Sequence, residues 1–410
     1  MGQENDRSVC EHLASFKNPG GRETIADEMV LGSLTIPRFI NEFWTSRQRQ
    51  ASSIHEVSYR ACFKPQLPRF FIDMLTRKGD VVYDPFSGRG TTVIEAGLAG
   101  RNVIANDANP LSRIITEPRL FPPDPEEVIK RLGTIPREGP VAEIDLSMFY
   151  HPLTEQEIVA LKEYLARRRA SSRDDLIDRW IAMIATNRLT GHSSGFFSVY
   201  TLPPNQAVSQ RSQERINRKR LQAPEYRDTH RIIATKTKSL LRTVTPSEKK
   251  NLVRAGKNAR LLTGDARWTP EVPDNTVQLT VTSPPFLDIV QYREDNWLRC
   301  WFNGLDGEAA GKGITMSRTL EGWTDVMSDV FRELFRITRP GGFIAFEVGE
   351  IRKQTIRLEE HVVPLGVSAG FSGVAIVINQ QVFTKTSNIW GVGNMVHGTN
   401  TNRIVLFRKP

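Results

Sequence analysis

Apolar runs separated by glycine- and proline-bearing turns divide much of the chain into alternating short strands and helices. Val81-Val82-Tyr83 is a short apolar β run, and from Thr91 onward Val93, Ile94, Ala96 and Leu98 recur at helical spacing. Gly100 stops that helix, and Arg101 to Ala105 form a second strand that ends on Asp107. The alternation returns late in the chain. Arg260-Leu261-Leu262 opens a third strand running to Asp265-Ala266, and Val277 to Val281 is a fourth. Val326 to Ile337 is an amphipathic helix that Arg339-Pro340-Gly341-Gly342 turns into a fifth strand, Phe343 to Gly349. Val374 to Phe383 and Arg403 to Arg408 are the last two. Strands alternating with helices predict an α/β fold on a mostly parallel, seven-stranded sheet, with ligands held outside the strands' carboxyl ends.

The stretches outside this pattern read differently. Residues 1–60 are an irregular, partly helical lead-in that Phe39, Phe43 and Trp44 can dock on the core. Between 113 and 257 the chain is a largely helical insertion. Pro122 to Gly139 is a proline-rich connector, and Thr154 to Arg169 is a helix whose Thr154-Glu155-Gln156-Glu157 start has capping-box form. Asp174 to Leu189 is another helix. Gly191 to Ala207 is a polar loop with Phe196, Phe197 and Tyr200 interleaved. Segments 61–112 and 258–410 make up the core domain.

Composition narrows the partners. The chain has 410 residues, 39% apolar and 25% charged, enough for an ample core. Its net charge is +9, and residues 205–260 alone carry 15 basic against 4 acidic side chains, a local surplus of 11. That concentration suits a polyanion. Residues 113–257 are thus a candidate target-recognition region, with Asn205, Gln206, Arg211, Arg215, Arg218, Lys219 and Arg220 as the candidate contacts, because amides and guanidiniums make bidentate hydrogen bonds to base edges or hold phosphates, and the aromatics Phe196, Phe197 and Tyr200 beside them suit base contacts. No run of about 18 apolar residues offers a membrane span, and the first residues lack an apolar leader core. Three scattered cysteines give neither a disulfide framework nor a metal cluster, which suits a reducing cytoplasm.

Two motifs carry the chemistry. Asp84-Pro85-Phe86-Ser87-Gly88-Arg89-Gly90-Thr91-Thr92 follows the first strand, and Asp107 ends the second roughly 20 residues past the glycines, where ribose hydroxyls are held in nucleotide-type folds. A dinucleotide fingerprint needs Gly or Ala where Val93 stands, and a phosphate loop needs a lysine after its last glycine, where this chain has Thr91. An adenosine ligand without phosphates fits better. The second motif, Ser283-Pro284-Pro285-Phe286, ends the fourth strand. The two prolines stiffen it and leave carbonyls directed outward as acceptors.

DPFSGRGTT followed by a strand ending in SPPF resembles the amino-methylating DNA methyltransferases of the N4-cytosine type. The resemblance covers about 63–112 and 258–408, not the insertion. It implies a Rossmann-like class I methyltransferase fold, S-adenosyl-L-methionine as cofactor and double-stranded DNA as substrate, in a cytoplasmic prokaryotic enzyme working beside a separate cognate restriction endonuclease. No metal and no membrane are implied. Phe63 and Lys64 would close over the methionine end of the cofactor, while Asp84, Pro85, Phe86, Gly88, Gly90, Thr91, Thr92 and Asp107 cradle it. Asp265 and Ala266 would border the adenine. Ser283 and the Pro284 carbonyl would accept the hydrogens of a cytosine amino group, with Phe286 stacked on the flipped-out base. Ser283 stands where N6-adenine relatives more often carry Asp or Asn. Adenine N6 methylation is the alternative, and RNA base methylation a more distant one.

Overall fold

In the computed structural model the described residues are 2–45, 51–59, 62–201, 207–285, 292–306, 319–348, 350–351, 356–380 and 401–410. The strands are β1 (Ile25–Leu31), β2 (Leu34–Asn41), β3 (Val81–Asp84), β4 (Asn102–Asn106), β5 (Arg260–Leu262), β6 (Val277–Thr282), β7 (Thr338–Val348), the short pair β8 (Glu350–Ile351) and β9 (Ile356–Arg357), β10 (Ser372–Gln380) and β11 (Thr401–Arg408). Nine of them form one sheet in the order β1-β2-β10-β11-β7-β6-β3-β4-β5. From β5 through β7 every neighbouring pair is parallel, and β11 lies antiparallel between β7 and β10. The seven strands expected from the sequence are all present in this block.

The other two strands are a correction. The lead-in was expected to be irregular and partly helical; it begins with helix α1 (Gly2–Ser15) and then forms the antiparallel hairpin β1–β2. β2 pairs in parallel with β10, which would otherwise be the sheet edge, matching Arg38 with Ile376 and Ile40 with Ile378. The edge thereby moves to β1, a strand bearing exposed Asp27 and Glu28. Charged edges of this kind resist further pairing. Phe39, Phe43 and Trp44 are buried in the main core, as expected.

Alternate residues of the central strands feed two cores. On one face Val82, Val103, Leu279, Val281 and Ala345 pack with α2 (Gln66–Leu75), α3 (Thr91–Leu98) and α10 (Pro246–Asn258). On the other, Tyr83, Ile104, Ile344 and Phe346 pack with α12 (Leu320–Ile337) and α13 (Leu358–Ser368). β6, Val277 to Thr282, is buried at every position, as befits a central parallel strand covered on both faces.

The middle of the chain supplies α4 (Leu111–Thr116), α5 (Pro125–Leu132), α6 (Pro152–Ala170), α7 (Leu176–Arg188), α8 (Gln210–Arg220) and α9 (Thr229–Leu241). These build a third core around Trp180, Ile181, Ile184 and Phe149, which Val57 and Tyr59 join from the lead-in. Leu298 and Phe302 join it from α11 (Tyr292–Asn303). α10 packs on α3 and β4 and therefore covers the sheet rather than joining the helical layer. The start of α6 also differs from the sequence reading. Its cap is the His151 ring, which accepts from Leu153 N at 3.2 Å. Thr154 and Glu157 turn inward instead: Thr154 Oγ1 donates to the Arg227 carbonyl, and Glu157 accepts from Thr229 N and Oγ1, both at 2.8 Å.

Candidate active site

The carboxyl ends of β3, β4, β6 and β7 lie side by side, and their last residues converge on the loops that follow. Asp84 closes β3 and is 1% exposed. Its Oδ1 accepts from Thr282 Oγ1 at 2.7 Å and from Phe86 N at 3.2 Å. Burial pushes its carboxyl up to about 7, against the pull of those hydrogen bonds. Thr92 Oγ1 donates to the Val281 carbonyl at 3.0 Å. Two hydroxyls therefore tie the glycine loop to the end of β6, the strand that runs into Ser283. Thr91 and Thr92 are both buried at the start of α3.

The loop's glycines serve different purposes. Gly88 (φ 52°) and Gly90 (φ 72°) both sit in the left-handed region. A Cβ on Gly90 would stand 2.4 Å from Thr116 Cγ2 and Oγ1, so this position is closed to any side chain by protein packing. A Cβ on Gly88 would make only ordinary contacts, with Cys62 Sγ at 3.5 Å and the Tyr59 ring at 3.6 Å. Asp107 pins the loop from the neighbouring strand. Its Oδ2 accepts from Gly88 N at 2.7 Å and its Oδ1 from Asn109 N at 2.8 Å. Burial lifts this carboxyl to about 6. Each oxygen still has lone-pair capacity for a hydroxyl donor.

Arg89, between the glycines, reaches backwards. It donates to the Val57 carbonyl at 3.1 Å, the Phe63 carbonyl at 3.3 Å and Thr91 Oγ1 at 3.1 Å. Fully buried Arg119 donates to the carbonyls of Arg89, Ile54 and Ile115. The two guanidiniums lace the lead-in to the glycine loop and hold Phe63 and Lys64 beside it. Burial and the nearby Arg89 lower the Lys64 ammonium. Neither arginine was singled out from the sequence, although an arginine inside a glycine loop that lacks phosphate-loop form was a signal.

At the end of β6, Ser283 and Pro285 are half-buried and Pro284 is buried. The Pro285 carbonyl accepts from Trp323 Nε1 of α12 at 3.0 Å, which fixes the second proline. Phe286, Asn205 and Gln206 lie outside the described residues. Ser283 has a partner that sequence reasoning missed: its hydroxyl hydrogen-bonds to Glu347, which is buried next door on β7. Asn402 Nδ2 donates to Glu347 Oε1 at 2.5 Å. Burial pushes the Glu347 carboxyl up to about 7.

Asp265, expected beside the adenine, does not stand free. Both its oxygens accept from the Arg267 guanidinium, and Oδ1 also accepts from Arg267 N at 2.9 Å. Ala266 is buried in the α12 core, and Pro85 is buried while Phe86 is half-buried. The aromatics of 191–207 differ from the expected base contacts. Phe197 is fully buried, Phe196 is buried under the Arg188 guanidinium at 4.0 Å, and Tyr200 is covered by Arg220 at 3.7 Å. Arg220 thus packs on a ring, while Arg211, Arg215, Arg218 and Lys219 are exposed along α8.

The strand order, the glycine loop after β3 and the acid-bearing end of β4 define a Rossmann-like α/β fold. Residues 28–115 match the family model N6_N4_Mtase, described as DNA methylase, so the likeness covers this segment of the chain. It is similar to the type II methyltransferase M.MjaII of Methanocaldococcus jannaschii, 32% identical over 21% of this chain and 17% of that one. It is likewise similar to M.BglI of Bacillus subtilis, 35% identical over 25% of this chain and 28% of that one. The matched segments span less than a third of either relative. A methyltransferase of Methanosarcina mazei overlays 83% of this chain and 96% of its own at 8% identity, with a TM-score of 0.30, too loose to carry an argument. Among the described residues there is no metal-ligating cluster and no helix long and apolar enough to cross a membrane.

Proposed function

We propose that this chain is a site-specific DNA methyltransferase that moves the methyl group of S-adenosyl-L-methionine to the N4 amino group of a flipped-out cytosine, as the modification enzyme of a restriction–modification system. The observation that carries the reading is Ser283 at the end of β6, backed by buried Glu347 and tied through Thr282 and Asp84 to the glycine loop.

Asp107 has the acceptor capacity for ribose hydroxyls, and Phe63 and Lys64 flank the loop where the methionine end would lie. Asp265 would reach an adenine amino group only through oxygen capacity left beside Arg267. The cofactor supplies an electrophilic methyl carbon on a positively charged sulfur. Cytosine N4 is a poor nucleophile because its lone pair is delocalised into the ring. Ser283 Oγ and the Pro284 carbonyl, accepting its two hydrogens, draw it toward tetrahedral geometry. The bound cofactor would supply that methyl to the nitrogen, its carbon–sulfur bonding pair staying with sulfur. The surplus proton on nitrogen passes to Ser283 Oγ as the serine's own proton passes to Glu347. Serine alone is too weak a base to hold it. Positioning and electrostatics supply most of the acceleration.

Incubation with labelled S-adenosylmethionine and mixed-sequence duplex DNA, followed by digestion to nucleosides and mass analysis, tests this. N4-methylcytosine that disappears with Ser283→Ala is the expected result. N6-methyladenine would overturn the target base, and label on RNA with none on DNA would overturn the substrate.

A further inference from the structure

The C-terminus of α8 is built in an uncommon way. The helix ends in a paired-bond closure: Gln222 N donates to the Asn217 carbonyl at 3.1 Å and Leu221 N to the Arg218 carbonyl at 3.3 Å. The residue at the turn of such a closure adopts left-handed backbone, and glycine or asparagine usually fills it. Here it is Leu221, with φ 49° and ψ 44°. Its side chain is 94% exposed. A large apolar residue thus occupies a conformation that its Cβ disfavours and buries nothing in return. Such outliers persist where the surroundings over-determine them, and they cluster at functional positions.

The surroundings do over-determine this one. Gln213, fully buried, and Gln222 both donate to the Tyr200 carbonyl, at 3.0 and 2.9 Å. Asn217 accepts from both amides at 2.8 Å and itself donates to the Met148 carbonyl at 2.7 Å. Arg220 lies over the Tyr200 ring at 3.7 Å. The inner face of α8 is consumed in holding the helix still. Its outer face carries Arg211, Arg215 and Arg218 at intervals of four and three residues, with Lys219 beside them, all exposed. The other end of α8 is moored on α11, the helix that follows the Ser283-Pro284-Pro285 strand-end in the chain, because Trp297 Nε1 of α11 lies 3.2 Å from the Ala207 carbonyl and 3.3 Å from that of Val208. Eleven helical residues put Leu221 about 16 Å from the start of α8.

Resting on the DNA reading above, we propose that α8 tracks the phosphates beside the target base and that Leu221 is an apolar wedge, inserted between stacked base pairs to kink the duplex. The basic stripe supplies sequence-independent attraction. A rigidly held leucine at its tip is the kind of side chain that unstacks a base step and bends DNA. The energy of that bend depends on the sequence being bent, so the wedge would add selectivity at positions that no polar side chain touches.

The test uses the full chain, a duplex containing the site that the wild type methylates, and fluorophores at both duplex ends. Leu221→Gly suits left-handed backbone, so the variant folds with an unchanged or higher Tm. Binding of the wild type should shorten the end-to-end distance, and Leu221→Gly should abolish that change. Its kcat/KM on intact duplex should fall about tenfold, the scale of a modest bending cost. Duplexes with a one-nucleotide gap moved stepwise along the flank should restore kcat/KM at one gap position, where kinking costs little. If Leu221→Gly bends and methylates like the wild type, or no gap position restores it, the wedge is wrong while the methyltransferase reading stands. If the wild type methylates no DNA, both fall.

Discussion

Replacing Glu347 with glutamine changes one buried proton acceptor and almost no volume, and its consequences differ in sign for stability and for activity. The carboxyl is buried, accepts from Asn402 at 2.5 Å and from the Ser283 hydroxyl, and sits near 7 against an ordinary value of 4.5. Its folded-state value is raised, so its contribution to stability is complete below about pH 4.5 and is lost as pH rises through about 7. A rise of 2.5 corresponds to about 3 kcal/mol at about 1.4 kcal/mol per unit, an upper figure for what ionising Glu347 costs the native state. Glu347→Gln removes that cost. Its stability relative to wild type should therefore increase between pH 5 and pH 8, read from chemical denaturation at each pH. Activity should go the other way. Only ionised Glu347 can take the proton from Ser283. Its ionised fraction rises from about a tenth at pH 6 to about nine-tenths at pH 8. Wild-type single-turnover methyl transfer should rise with it, while the variant should be about 100-fold slower or worse and flat with pH. A variant within threefold of wild type that kept the same pH dependence would refute the proton route. Lost activity without the gain in alkaline stability would show that the carboxyl is not held near 7.

Three further outcomes follow from packing and charge. Gly90→Ala should destabilise the fold by about 2 kcal/mol or more, because left-handed backbone and a 2.4 Å approach to Thr116 act together, and Thr116→Ser in the same chain should recover part of the loss; additive melting shifts would exclude the clash. Thr282→Val keeps the shape of β6 but strips Asp84 of its 2.7 Å donor, so denaturation should show a loss of about 1–3 kcal/mol that grows from pH 5 to pH 8 as Asp84 ionises through about 7, and a loss independent of pH would count against that bond. Neutralising Arg211 and Arg215 should weaken binding to any duplex and lower the slope of log affinity against log salt by about one per residue; an unchanged slope would remove α8 from the phosphate surface.

The core was legible because its signals are local. A strand, two glycines and a strand-end acid follow one another within 30 residues, and the period-2 and helical patterns around them are strong. The hairpin β1–β2 was not legible. Pro37 interrupts the second strand, exposed Asp27 and Glu28 mark the first, and the partner that makes them a sheet, β10, stands at the far end of the chain. Glu347 was hidden because one acid inside Phe343 to Val348 reads as a solvent-facing position until the neighbour in register, β6, is known. Phe196, Phe197 and Tyr200 look like base contacts in a polar loop. Only the packing of α7 and α8 shows that arginines cover two of those rings and that Phe197 is buried. In each case the missing information was a contact distant in sequence.

The pairing of Arg38 with Ile376 joins residues 338 positions apart. During synthesis β2 therefore leaves the ribosome long before its partner. The β1–β2 hairpin can close on itself at once, but its second edge stays unpaired while more than 300 residues are added. β10 also needs β11, which follows it in the chain, for its other edge. Loop-closure entropy makes such late, non-local pairings slow. The half-built chain carries an open strand edge that a second copy, or a chaperone, can reach. Completion of the sheet, and with it the anchoring of the lead-in against which Arg89 and Arg119 brace the glycine loop, is thus deferred until β10 and β11 have been made.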